Sequence, residues 1–259
     1  MSDFYAQDKQ DELLERFVFG GFKNGFFVDV GAHDGKSMSN TLYFEEQNGW
    51  TGINIEPLEK PYKQLLINRP NCINIQCAIC ETDGEEEFTS CSGYTEMLSG
   101  LTRLYDERHM FRIQFENEEF GGEISLTSMK TMRLDTIFRK HNVTRIHYLT
   151  IDVEGAEFEA IKSINFDEVM IDVISFEDNY GDSSIPVGEY ILSKGFKQIS
   201  NERHKLDIFM INTKSPFYTK LMENVDIEDE ELDVSLLENI FMEEPTEEPT
   251  EEPKEEKAP

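Results

Sequence analysis

Basic residues are scarce in this chain: 24 Lys and Arg stand against 53 Asp and Glu, a formal net charge of -29. So large an imbalance excludes nonspecific attraction to nucleic acid or to an anionic membrane surface. Roughly half of the excess falls in the last forty or so residues, which leaves the rest only moderately acidic. No apolar run reaches the length of a membrane span, and Met1-Ser2-Asp3-Phe4-Tyr5 lacks the basic-then-apolar pattern of a signal peptide, so a cytoplasmic protein is expected. Cysteine is rare as well. Of Cys72, Cys77, Cys80 and Cys91, one pair has a zinc-like spacing, Cys77-x-x-Cys80. That stretch continues the β-pattern of Ile73-Asn74-Ile75-Gln76, and in one extended strand Cys77 and Cys80 would face opposite sides. Small buried thiols in a reducing compartment are therefore expected, and no metal site is read from them.

A glycine that a dinucleotide site needs is also missing. Phe26-Phe27-Val28-Asp29-Val30 reads as a strand buried on both faces, running into the loop Gly31-Ala32-His33-Asp34-Gly35. Gly31 lets the chain turn where a Cβ would clash and lets the backbone approach a ligand, while Gly35 frees the entry to the next helix. His33 stands where the dinucleotide fingerprint has its second glycine, which speaks against NAD or FAD. About twenty-five residues after Gly31, Thr51-Gly52-Ile53-Asn54-Ile55-Glu56 forms a second strand closing on an acid, at the distance of one βαβ step. Glu56 is thereby placed to accept from a ribose diol. A glycine loop and a strand-end acid are the minimum for a nucleoside-containing cofactor; an α/β core with a solvated acid is the competing reading.

The remaining pattern is strand alternating with helix. Phe4, Leu13, Leu14 and Phe17 mark an amphipathic helix stopped by Gly20-Gly21. Helices are predicted over Met38–Gln47 and from Pro57 and Pro61 to about Asn68, with a third strand over Ile73–Ile79. Residues 81–133 lose periodicity, with a short strand over Glu85–Thr89, and this excursion is read as the place of substrate selection or as a plain surface insertion. Its Arg103, Arg108 and Arg112 read as a solvated helix face. A helix over Leu134–His141 precedes the strand Tyr148-Leu149-Thr150-Ile151-Asp152, whose end carries Asp152 and Glu154 at alternate positions. Glu157 opens the helix Phe158–Ile164, another strand runs over Val169–Phe176, and a helix from Pro186 ends at Gly195. Phe196–Ile199 and Leu206–Ile211 form a terminal hairpin, and a last helix runs from Pro216 to about Asn224. The fold class is α/β, a doubly wound and mostly parallel sheet of seven strands. Residues 225–259, with Glu-Glu-Pro repeats, read as a disordered acidic tail around the apolar island Leu236, Leu237, Ile240, Phe241 and Met242.

The chain resembles the FkbM-type S-adenosylmethionine-dependent methyltransferases. The likeness lies in Phe27-Val28-Asp29-Val30-Gly31-Ala32-His33-Asp34-Gly35, Ser39-Asn40-Thr41, Gly49-Trp50-Thr51-Gly52, Ile55-Glu56-Pro57, Leu134-Asp135 and Ile151-Asp152-Val153-Glu154-Gly155-Ala156-Glu157, and it spans about Tyr5 to Ile211. Tyr5-x-Gln7 with Asp11 is similar to the N-terminal signature of one branch, and Thr150 stands where members often carry lysine. The resemblance implies a class I, Rossmann-like methyltransferase domain over 1–224. It implies that Asp29, Gly31, His33, Gly35 and Asn40 bind the methionine and ribose side of S-adenosylmethionine, that Glu56 holds the ribose, that Ala78 and Ile79 flank the adenine, and that Asp152 faces the methyl group. O-methylation of a sugar, a glycan or a small natural product is the implied reaction.

Such a transfer needs an aligned acceptor oxygen and a base, and Asp152, Glu154 and His33 are the candidates, with Asp152 first. Glu154 and Glu157 read equally well as structural caps. A divalent metal held by Asp152 with Asp178 and Asn179 is the minor alternative. The rival function is a methyltransferase-fold scaffold whose acidic tail engages a basic protein partner. No nucleic-acid or membrane partner is expected.

Overall fold

Leu13, Leu14, Val18 and Phe19 recur at helical spacing, and they form the buried side of α1 (Gln10–Leu14) and of the π-helical turn Glu15–Phe19 that continues it. Gly20, at φ 53°, takes the left-handed position that ends this helix. The computed structural model describes residues 4–177, 185–200, 207–223 and 232–233.

The β-favouring run at Phe26 becomes β1 (Phe26–Val30), and α2 (Leu42–Asn48) leads to β2 (Thr51–Ile55). The first crossover helix is thus shorter than its apolar spacing predicts. Residues 36–41 form a loop, Met38 sits at φ 56°, and the Ser39 Oγ accepts from the N–H groups of Thr41 (3.3 Å) and Leu42 (3.2 Å), which holds the loop against the first helical residue. Next come α3 (Glu59–Asn68), β3 (Ile73–Ile75) and β4 (Ala78–Ile79). The single strand expected over Ile73–Ile79 is therefore two. The chain leaves the main sheet after Ile75, and β4 pairs elsewhere. All four cysteines are free thiols; Cys77 belongs to the main core and Cys80 to a smaller cluster with Ala78, Phe88 and Leu101.

The excursion is more regular than its sequence shows. It contains β5 (Gly84–Cys91), a 3-10 turn over Gly93–Leu98, β6 (Gly100–Leu101), a second 3-10 turn over Thr102–Leu104, α4 (Glu107–Phe120) and β7 (Ile124–Met132). These strands make a separate sheet in the order β4-β7-β5-β6. Arg103 lies in the second 3-10 turn and not on the helix face with Arg108 and Arg112. It bonds Glu86 (2.6 Å) and both carboxylate oxygens of Glu159 (2.5 and 2.6 Å), tying this sheet to the main body.

Then follow α5 (Leu134–Lys140), β8 (Arg145–Ile151), α6 (Glu157–Lys162), β9 (Met170–Glu177), α7 (Ile185–Ser193), β10 (Phe196–Ser200), β11 (Asp207–Asn212), α8 (Pro216–Glu223) and β12 (Leu232–Asp233). The main sheet runs β12-β10-β11-β9-β8-β1-β2-β3, and β11 is antiparallel to both its neighbours. The expected doubly wound sheet with its terminal hairpin is present, with β12 as an eighth strand within the stretch read as tail. The rest of that tail, including the apolar island, lies outside the described residues.

Side chains alternate across β1: Val28 and Val30 join the core on one face with Ile53, Ile55, Leu149 and Ile151, while Phe27 joins Phe44, Trp50 and Tyr148 on the other. Both faces are covered, so the parallel strands need no polar side. β1 lies between β2 and β8, where the winding reverses, and a crevice opens there beyond the strand ends. Among the described residues no helix is long and apolar enough to cross a membrane.

Candidate active site

The crevice is built from the backbone outward. The N–H groups of Gly31 and Ala32 both donate to the carbonyl of Ile55 at 3.0 Å, and the Asp152 N–H donates to the carbonyl of Val30 at 2.9 Å. Gly31, at φ 93°, is held between the ends of β2 and β8, with no room for a side chain: a Cβ there would lie 1.8 Å from the Asp152 carbonyl oxygen. The His33 N–H donates to Glu56 Oε2 (2.9 Å) and the Leu58 N–H to Glu56 Oε1 (2.7 Å), which holds the strand-end acid against the loop. Each carboxylate oxygen keeps a further lone pair for a ligand hydroxyl.

Above this floor lies a cavity of about 280 Å³. Asp29, Gly31, His33, Asn40, Glu56, Ala78, Ile79, Asp152 and Glu154 all line it. Gly35 does not: its missing Cβ makes room for Leu65 and Arg69 beneath the loop. Asp178 and Asn179 lie outside the described residues. The excursion closes one wall with residues 96–101, and α4 adds Arg112, the only Arg or Lys among the described lining residues. Arg112 pairs with Glu116 one turn along the helix at 2.9 Å, and its half-exposed side chain borders both the cavity and solvent.

The N-terminal segment closes the far side. Asp11 accepts from the N–H groups of Tyr5 (2.7 Å) and Ala6 (3.3 Å), folding the chain back so that Gln7, Asp8 and Gln10 reach the cavity. Gln10 donates to Asp207 at 2.7 Å. Asp207, Glu177, Glu96 and Arg112 were not singled out from the sequence as site residues. Only Glu177 carried a signal there, as an acid closing a strand.

Three polar atoms on the walls are buried without a hydrogen-bond partner, both ring nitrogens of His33 and the Asn40 Oδ1. The nearest carboxylate to the imidazole is Glu96, 3.6 Å from Nε2. Asn40 Nδ2 donates to Thr150 at 3.3 Å. Buried groups of this kind cost stability unless something satisfies them, and on this wall the cavity gives a polar ligand or water access to them.

At the mouth, Asp152, Glu154 and Glu177 bring carboxylate oxygens within 4.8 Å of one another. β8 has ended at Ile151, and Glu154 takes a left-handed φ of 52°, so the turn and not continued strand geometry brings it to Asp152. Asp152 is solvent-accessible, and the opening it faces is the cavity, whose walls crowd its carboxyl. Burial raises its carboxyl, opposed by a hydrogen bond from Glu177. Burial first, then the charges of Asp152 and Glu154, pushes Glu177 up to about 10, and burial followed by Asp152 raises Glu154 well above the carboxylate range. Burial also lifts Glu56 to about 7 against its two backbone donors, and Asp207 to about 6 against Gln10. Glu157 has a structural role, accepting from the N–H groups of Val153 and Gly155. His109 of α4 donates from Nε2 to the Leu98 carbonyl (3.1 Å), which leaves Nδ1 3.7 Å from Glu154. The arrangement is a proton-holding cluster. The same three carboxylates are also hard donors of the kind a divalent cation accepts.

The sign of the pH dependence follows. A carboxyl whose pKa is higher in the folded than in the unfolded state adds stability below its unfolded value near 4.5, and this is lost as pH rises toward about 10 for Glu177. Glu177→Gln is therefore expected to raise the melting temperature at pH 8. One unit of displacement surviving local relaxation is worth about 1.4 kcal/mol, about 3 °C at this chain length. The gain should vanish at pH 4.5 in thermal melts. An equal gain at both pH values would mean that packing, not charge, was relieved.

The family model for the methyltransferase FkbM domain matches residues 29–198. No match is found among the curated proteins. Among solved structures, the methyltransferase FkbM from Methylobacillus flagellatus KT is 14% identical with a TM-score of 0.44, over 73% of this chain and 43% of that one. This chain thus spans less than half the length of that protein. The N-terminal domain of human METTL16 in complex with SAH is 11% identical, TM-score 0.42, over 80% of this chain and 68% of that one. The precorrin-6y C5,15-methyltransferase from Geobacter metallireducens GS-15 is 9% identical, TM-score 0.43, over 79% and 86%. The matched span starts at Asp29 of β1 and takes in Gly31, Glu56, the excursion and the carboxyl cluster, and on that match the chain belongs to the methyltransferase FkbM domain family.

Proposed function

We propose that this protein is a cytoplasmic, S-adenosylmethionine-dependent O-methyltransferase acting on a hydroxyl of a sugar, a glycan or a small natural product. One observation carries the reading: a glycine-floored wall with unpartnered His33 and Asn40 atoms stands beside a carboxyl cluster in one cavity. The residues fit the cofactor. Asp29, His33 and Asn40 would meet the polar methionine and ribose groups, Gly31 admits the ligand close to the backbone, Glu56 would take the ribose diol, and Ala78 with Ile79 offer apolar contact to a base. The bound cofactor supplies an electrophilic methyl group.

The chain's own residues then have two tasks, alignment and proton removal. Asp152 accepts the acceptor's proton; its raised pKa makes it a better base than an ordinary carboxylate. Glu177 retains its proton and donates to Asp152, which keeps the charge of the pair on the member facing the cavity. The excursion supplies the acceptor's side with residues 96–101 and Arg112. The four free thiols suit a reducing compartment.

Calorimetric titration of S-adenosylmethionine, with NAD as the control, tests the reading. Binding by the wild type that weakens at least about tenfold in Glu56→Ala is expected, since a hydrogen bond to a charged group contributes about 1.5–3 kcal/mol. Labelled methyl transfer to a panel of glycosides then tests the acceptor. No binding by the wild type would reject the enzyme and favour the scaffold that engages a basic partner through its acidic tail.

A further inference from the structure

Arg69, at the end of α3, is a guanidinium with 0% exposure. Such a charge is tolerated only if its donors are met. They are met by the loop between β1 and α2. Nε bonds the Glu45 carboxylate of α2. Nη1 donates to the Gly35 carbonyl at 3.1 Å, to Ser39 Oγ at 3.3 Å and to Thr41 Oγ1 at 3.2 Å, and Nη2 donates to Thr41 Oγ1 at 3.2 Å. The guanidinium carbon lies 5.0 Å from the centre of the Phe27 ring, and Gly35 has no Cβ to obstruct the side chain.

Thr41, also fully buried, donates to Asp29 Oδ2 at 2.7 Å. A hydroxyl has one hydrogen and two lone pairs, and an arginine has only donors. With two guanidinium N–H groups directed at Oγ1, the single hydrogen is left for Asp29, and the order cannot be reversed. Asp29 lines the cavity, and its Oδ1 has no hydrogen-bond partner among the described residues. Burial raises the Asp29 carboxyl; Thr41 and then Arg69 counter this, while Asp152 adds to it.

We propose that Arg69 and Thr41 are positioning residues: Arg69 locks the Thr41 hydroxyl as a donor to Asp29, fixing that carboxylate with Oδ2 taken and Oδ1 left for the polar methionine end of the cofactor. Neither touches the cavity, and both act through Asp29. The proposal rests on the cofactor reading above.

The test is calorimetric titration of S-adenosylmethionine into full-length Thr41→Ser and Thr41→Val, with urea melts to confirm folding. Serine keeps the hydroxyl and loses a methyl group; valine keeps the shape and loses the hydroxyl. A packing role would penalise serine more, whereas the positioning role spares it. Thr41→Ser is expected within about twofold of the wild type and Thr41→Val about tenfold weaker, the ratio set by one hydrogen bond to a charged group. In an Asp29→Asn background the valine substitution should add less than about twofold, because the two act as one unit. Equal affinity of Thr41→Val and wild type, a more than fivefold loss in Thr41→Ser, or additive effects with Asp29→Asn would each overturn the proposal. Absence of binding by the wild type would instead reject the cofactor reading beneath it.

Discussion

Gly31→Ala is expected to destroy the site and most of the protein's stability. The alanine Cβ would meet the Asp152 carbonyl oxygen at 1.8 Å, a backbone atom that cannot swing aside. Moving it means parting β1 from β8 in the middle of the main sheet, where Asp152 N–H bonds Val30 and Gly31 N–H bonds Ile55. The left-handed φ of 93° adds roughly 1–2 kcal/mol for any residue with a Cβ. Together these put the cost at about 4 kcal/mol or more, in the range that marks a broken backbone site. The control is Gly21→Ala: Gly21 has a similar φ of 79°, but nothing within 4 Å of its missing Cβ. That variant should lose only about 1 kcal/mol of backbone strain. Urea unfolding of the two, with S-adenosylmethionine binding, separates clash from strain. Equal losses would mean that the close approach of Gly31 to Asp152 has no special weight.

Asp152→Asn is expected to lower methyl transfer by about 10²–10⁴, the contribution of a positioned general base. Cofactor affinity should change far less, since Asp29, His33, Asn40 and Glu56 remain. The wild-type rate should rise with pH as the Asp152–Glu177 pair, raised by burial, loses the first of its two protons and keeps the one on Glu177. In the asparagine variant that rise should be absent. Single-turnover transfer from a labelled methyl donor across pH measures both. A variant within about threefold of the wild type, with the pH rise intact, would move the base to Glu154, whose carboxyl shares the cluster.

How far this site could be read beforehand differs residue by residue. Gly31 and Glu56 are legible because each combines a local conformational need with a place at the end of an apolar strand. Asp29, Asn40, Ala78 and Ile79 come from the family likeness, and the structure sets all four on the cavity wall. Gly35 looks the same as Gly31 in sequence but serves packing. α4 and β7 leave little trace: α4 buries only His109 and Ile113, and most of β7 is exposed, so neither shows an apolar period.

What the amino-acid sequence determined by itself is the succession of strands and helices, the doubly wound class and the loop where a ligand approaches, because these depend on periodicity, glycine and strand-end acids within a few residues of one another. Only the tertiary structure decided which distant groups meet. Glu177 joins Asp152, Asp207 joins Gln10, Arg112 enters from the excursion, and Arg69 reaches Thr41 beneath the loop. Their partners are tens to hundreds of residues apart, brought together by strand order and sheet packing, and the raised carboxyl pKa values follow from burial that exists only once those elements close over the cavity.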